Sequence, residues 1–200
     1  MSGTPIKLRK TVVPVSFGIE IEGRNRYLRE AHLHTHLGFF YITTDGSLSH
    51  NDSVEVVSQP LPPKMLCRVL HTLLSKTGDI KYERDAGIHI HVTRTKHTEK
   101  KLEELFYAIK ESSTAEQINF FGRHETYYAN TENTRWKELR YSAINWLNKN
   151  TIEIRLFGNN HEFYTGIDHA IRCVKRTQAI LDTKEEITAN VLHQIARRIP

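Results

Sequence analysis

The stretch Phe17-Gly18-Ile19-Glu20-Ile21-Glu22-Gly23 constrains the fold more than any other part of the chain. Apolar Phe17, Ile19 and Ile21 alternate with Gly18, Glu20 and Glu22. In a strand, successive side chains point to opposite faces. The alternation therefore predicts a strand with one core-forming face and one face carrying two carboxylates. At a rise of roughly 3.3 Å per residue, those carboxylates stand about 7 Å apart. A helix would scatter the same residues around its axis.

Three later stretches repeat the pattern with other polar residues. Val54 to Ser58 offers Glu55 between Val54 and Val56. Ile88 to Thr93 offers His89 and His91 between Ile88, Ile90 and Val92. Thr151 to Phe157 offers Glu153 and Arg155 between Ile152, Ile154 and Leu156. Any one of these alone reads as the solvated face of an antiparallel sheet, where polar residues normally point outward. Four together, nearly free of lysine, gather carboxylates that repel one another without a cation. Hard oxygen ligands with an imidazole suit Mg²⁺ or Mn²⁺. Such ions can hold ATP phosphates, and Arg155 would set a fixed positive charge beside a transferring phosphate.

Between these stretches the pattern changes to helical. Tyr27 to Leu37 is expected as a helix, and His32, His34 and His36 within it read as solvated histidines rather than a zinc site, since only His32 and His36 would share a face. Phe39 to Thr44 reads as a strand and Asp45-Gly46-Ser47 as a turn. After Pro60, Pro62 and Pro63, the residues Leu66, Val69, Leu70 and Leu73 form a helical stripe that Thr77-Gly78-Asp79 ends. Leu102, Leu105, Phe106 and Ile109 predict another helix. Ser112 to Asn133 reads as a helix and then a covering loop. Arg140 to Leu147 is expected to be extended and to form a hairpin with Thr151 to Phe157 through Asn148-Lys149-Asn150. Two helices close the chain, with Ile167, Ala170, Ile171 and Val174 on one and Ile187, Val191, Leu192 and Ile195 on the other.

Composition matters here mainly for what it excludes. At 200 residues and 38% hydrophobic content, the chain can bury a substantial core. Residues 1–14 read as a loose leader and residues 15–200 as one catalytic domain. The net charge of +5 is spread out, compatible with a polyphosphate such as ATP. A basic nucleic-acid-binding module, with Trp136, Trp146 and the tyrosines stacking on bases, is the less favoured alternative, since no basic–aromatic motif is interleaved. Cys67 and Cys173 read as buried reduced thiols. No secretory signal and no apolar run of about 20 residues is present, so a soluble cytoplasmic protein is expected.

The motifs in order resemble those of the amidoligase family. They are Phe17-Gly18-Ile19-Glu20-Ile21-Glu22, Asp45-Gly46-Ser47-Leu48, Glu55-Val56-Val57-Ser58-Gln59-Pro60-Leu61, Gly87-Ile88-His89-Ile90-His91-Val92, Arg140-Tyr141 with Asn145, and Thr151-Ile152-Glu153-Ile154-Arg155-Leu156-Phe157. That family belongs to the carboxylate–amine ligase superfamily, with glutamine synthetase and the glutamate–cysteine ligases. The resemblance spans residues 15 to 180. It implies an α+β fold like the glutamine synthetase catalytic domain: a curved, mainly antiparallel sheet with helices on its outer face.

The resemblance also implies an ATP- and Mg²⁺-dependent ligase that joins a carboxylate-bearing substrate to an amine-bearing one, an amino acid, peptide or protein. Its metal ligands would be Glu20, Glu22, Glu55, Glu153 and His91, with His91 the histidine nearer the metal or phosphate. Arg155 and Arg140 would act on the phosphates or acyl intermediate, a carboxylate or His89 would take the proton of the amine, and Asp45 would lie near the nucleotide. Ala86 stands where such proteins often carry cysteine, and the segment between His91 and Arg140 is short for the family. The small size is compatible with a homo-oligomer or a partner subunit. A metal-dependent phosphoryl-transfer enzyme or hydrolase using the same carboxylates is the alternative.

Overall fold

The computed structural model describes residues 15–44, 50–81, 86–123, 126, 129–131, 140–158 and 166–200. The leader 1–14, the turn bearing Asp45, and Trp136 lie outside them.

Seven strands form one open sheet: β1 (Phe17–Arg24), β2 (His36–Leu37), β3 (Phe40–Thr43), β4 (Ser53–Ser58), β5 (Ile88–Thr93), β6 (Ile144–Asn145) and β7 (Thr151–Ile154). Their order is β2-β3-β4-β1-β5-β7-β6, and every neighbouring pair is antiparallel. The helices are α1 (Arg26–His32), α2 (Pro63–Thr77), α3 (Lys96–Glu111), α4 (Thr114–Phe121), α5 (Gly166–Asp182) and α6 (Ala189–Arg198). The chain is thus α+β.

The four alternating stretches become four adjacent strands, β4-β1-β5-β7. Their apolar residues, among them Ile19, Ile21, Val56, Ile90 and Ile154, are buried and join the stripes of α2 and α5 in a single hydrophobic cluster. Removing each such side chain from water contributes about 1.5–3 kcal/mol. That burial fixes the strand faces, because a one-residue slip would turn every isoleucine outward.

Local signals set the helix ends. Asn25 caps α1 by accepting from Leu28 N. Thr95 and Thr98 form a capping box at α3, and Ser113 and Glu116 form one at α4. Gly122 ends α4 in the left-handed region at φ 82°, which favours glycine.

Three expected boundaries shift. The helix expected to reach Leu37 stops at His32, because His36 and Leu37 pair with Tyr41 and Phe40 as the sheet's edge strand. His32, His34 and His36 therefore share no helical face. The extended run expected from Arg140 narrows to Ile144–Asn145. The strand expected to reach Phe157 loses its regular ladder after Ile154, for a reason found at the site below. Cys67 is half-buried rather than buried, while Cys173 is buried, and both are free. Among the described residues, no helix is long and apolar enough to cross a membrane.

Candidate functional site

Register decides which polar residues meet. On the face away from α2 and α5, Glu22 stands opposite Glu55 across β1 and β4. Glu20 stands opposite His89 and Gly18 opposite His91 across β1 and β5. His91 also stands opposite Glu153, which stands opposite Asn145. The sequence separations are long, so only the assembled sheet creates this surface.

His89 is at the centre. Its Nδ1 lies 3.1 Å from Glu20 Oε2 and 3.3 Å from Glu153 Oε1, and its Nε2 lies 3.8 Å from Glu22 Oε1. His91 Nε2 approaches the other oxygen of Glu20 at 2.9 Å. Glu153 is held from two further sides: Arg155 Nη1 donates to its Oε1 at 2.6 Å, and Asn145 Nδ2 donates to its Oε2 at 2.7 Å. Asn145 Oδ1 also accepts from Leu147 N at 3.0 Å, tying the β6–β7 turn to the same carboxylate. Gly87 N donates to Glu22 Oε2 at 2.7 Å.

Burial would raise the carboxyl pKa of Glu20, but the hydrogen bonds and charges of His89 and His91 outweigh it and hold the group far below the usual carboxylate range. For His91, burial favours the neutral ring, yet contact with Glu20 and the charge of Glu153 raise its pKa. The site thus favours an ionised carboxylate beside a protonated imidazole.

Glu20, His89 and Glu153 each offer a ligand atom, and these atoms lie within 4.8 Å of one another. Two carboxylates and an imidazole fit a divalent cation of the Mg²⁺ or Mn²⁺ class. Among the described residues this is the only such grouping. It contains His89 rather than His91, since His89 is the one directly opposite Glu20 in the register. Glu22 and Glu55, expected as ligands, share the sheet face but not the grouping; Glu22 is engaged by the backbone of Gly87.

A pocket of about 430 Å³ opens over this floor. Glu20, His91 and Glu153 form its base, and Arg140 and Arg155 supply positive charge. Leu147 and Asn148, on the β6–β7 turn, add a wall that the motifs did not reveal. Asp45 lies outside the described residues, as does part of the covering loop expected before Asn133. Arg24 and Arg26, just past the glutamates of β1, pair with Asp52 and Glu30, each through Nε, at 2.7 and 2.8 Å.

Arg123 belongs to none of the sequence motifs, yet it holds the end of β7. Its Nη2 donates to the carbonyl of Arg155 at 2.6 Å and its Nε to that of Leu156 at 3.2 Å. These bonds explain the early end of β7: successive strand carbonyls normally point in opposite directions, so one guanidinium reaching two neighbours marks a bend. The signal available was Gly122 before it and Gly158 after the Glu153–Arg155 pair, since a Cβ on Gly158 would overlap Arg123 Cδ.

Comparison with known proteins adds a distant likeness only. No family model matches the chain, and no curated protein matches it. Among solved structures, a bifunctional glutathione synthetase from Pasteurella multocida aligns with 93% of this chain, at 13% identity and a TM-score of 0.39. The chain spans 40% of that protein's length. A score at that level does not establish a shared fold.

Proposed function

We propose that this chain is an ATP- and Mg²⁺-dependent carboxylate–amine ligase with a glutamine synthetase-like catalytic domain, forming an amide through an acyl phosphate. The observation that carries this reading is the grouping of Glu20, His89 and Glu153 under a pocket walled by Arg140 and Arg155. It joins the resemblance in motif order, which covers most of the chain.

In this reading a substrate carboxylate attacks the γ-phosphorus of ATP, ADP leaves, and an amine displaces phosphate from the acyl carbon. Both reactants of the first step are anions and repel each other. Glu20, His89 and Glu153 would hold Mg²⁺, which supplies charge neutralisation and alignment of the phosphate oxygens. Arg155, already oriented by Glu153, faces the charge that develops on the transferred phosphoryl group. Arg140, exposed at the pocket rim, receives the incoming anion. The attacking amine must be neutral, and a basic atom within hydrogen-bond reach has to take its proton.

The test is ADP release from ATP with Mg²⁺, with a carboxylate library and an amine library supplied together or singly. A ligase releases ADP at its full rate only with both. Full-rate turnover with neither amine nor carboxylate present makes the chain a hydrolase or other phosphoryl-transfer enzyme on the same residues.

A further inference from the structure

We infer that Arg123 is a positioning residue that clamps the bend after β7 and so aims Arg155 over the pocket. The inference rests on the ligase reading for what Arg155 does, but the clamp itself is a statement about this chain alone.

The side chain of Arg123 runs through a slot bordered by three glycines. Gly122, left-handed, turns the chain sharply at the end of α4 and delivers Arg123 toward the sheet. Gly158 leaves bare backbone where the stem passes, and a Cβ there would overlap Arg123 Cδ and lie 2.7 Å from Nε. Gly87 leaves room at the far end, where an added Cβ would lie 3.2 Å from Arg123 Nη2, 3.1 Å from His89 Nε2 and 3.4 Å from Glu22 Oε2. The guanidinium thus ends near His89 of the grouping, on β5, and near Glu22 on β1.

What it does there follows from its donors. The planar fork of an arginine presents parallel N–H groups in a fixed geometry. Here it satisfies the carbonyls of Arg155 and Leu156, which the bend removes from the regular ladder. Backbone bonds hold the segment on either side: Arg155 N donates to Ala143 O, Ile88 N to Phe157 O, and Gly158 N to Phe121 O at the end of α4. The irregular segment is therefore pinned at three backbone points and bridged by one side chain. Bends of this kind beside active sites re-aim a side chain, and the one re-aimed is Arg155, whose Nη1 meets Glu153. Lysine could carry the charge but not the two-point clamp.

The experiment uses the full chain and reads Arg155 directly. Guanidinium ¹⁵N NMR of the unaltered protein, with Arg155 assigned by substitution, should show Arg155 as an ordered, slowly exchanging group. In Arg123→Ala and in Arg123→Lys that signal should become averaged while thermal melting remains cooperative. Gly158→Ala should do the same although Arg123 is still present, because the new methyl displaces it. An unchanged Arg155 signal in any of these folded variants overturns the inference. Under the ligase reading, Arg123→Ala should also lower turnover about tenfold or more, and add no further loss in the Arg155→Ala background. Additive losses would assign Arg123 a role independent of Arg155 and overturn the clamp. If the unaltered chain neither binds Mg·ATP in calorimetry nor turns it over, the ligase reading fails, and the NMR result still decides the clamp.

Discussion

His89 Nδ1 lies 3.1 Å from Glu20 Oε2, and the two residues stand directly opposite each other in the β1–β5 register. The pairing joins a carboxylate from the first strand to an imidazole 69 residues later. Glu153, from a third strand, meets the same nitrogen. Each partner is rigid because the other face of its strand is packed into the core.

The divalent-cation site is the most direct consequence. Glu20→Gln and Glu153→Gln should each weaken Mn²⁺ binding by about tenfold or more, since each removes a charged ligand and even the loss of a hydrogen bond to a ligand typically costs that factor. Glu55→Gln should change it by less than about threefold, as Glu55 lies outside the grouping. Electron paramagnetic resonance of free Mn²⁺ during titration reads all three. Equal losses for Glu55 and Glu153 would restore the wider ligand set that the sequence motifs suggest.

Arg155 bears on the chemical step. Arg155→Ala should lower the rate of ADP formation about a hundredfold, corresponding to roughly 3 kcal/mol of barrier for one lost electrostatic contact in a preorganised site. The fall should be in kcat with a smaller change in KM for ATP, because the charge it meets develops in the transition state. Steady-state assays coupled to ADP release measure both.

The Glu20–His91 contact should leave a signature in stability against pH. Glu20 has its carboxyl pKa lowered by folding, so its contribution is complete above its unfolded value near 4.5 and is lost as the pH falls. His91 has its pKa raised, so its contribution is complete below its unfolded value near 6.5 and is lost as the pH rises through the higher folded value. Both are present between about 4.5 and 6.5. Melting temperatures measured in chelator should pass through a maximum in that window, and Glu20→Gln should flatten both sides of it.

Thiol labelling checks the burial of the helices. Burial pushes the Cys173 thiol up to about 12, and the residue is fully enclosed in α5. Cys67, on α2, is half-buried, with its thiol raised by the same cause to a lesser extent. Iodoacetamide under native conditions should modify Cys67 well before Cys173, and mass spectrometry of the digested protein resolves the two. Equal labelling would mean that α5 does not pack as described.

Much of the sheet was legible because alternation is a short-range signal. Phe17, Ile19 and Ile21 declare their face without reference to any other part of the chain, and so do Ile88, Ile90 and Val92. Adjacency of the four strands was not written in any one of them; it followed from the shared polarity of their outer faces. What escaped were effects that depend on register and on backbone irregularity. Which of His89 and His91 stands directly opposite Glu20 turns on a two-residue offset between strands that alternation leaves open. Arg123 escaped because its partners are carbonyls, which every residue has. Asn145 was visible as part of a motif, but its hold on Glu153 depends on the β6–β7 pairing.

The order β4-β1-β5-β7 places at the middle of the sheet strands that are far apart in sequence. No hairpin cut from the chain would contain Glu20, His89 and Glu153 together. A cation or nucleotide seated on that floor would therefore act as a staple across three non-consecutive strands, and the opening it opposes is separation of the sheet itself rather than fraying at one edge. Amides of β1 and β5 would then exchange with solvent only through global unfolding, and occupancy of the pocket would slow them by the full linkage of ligand to fold.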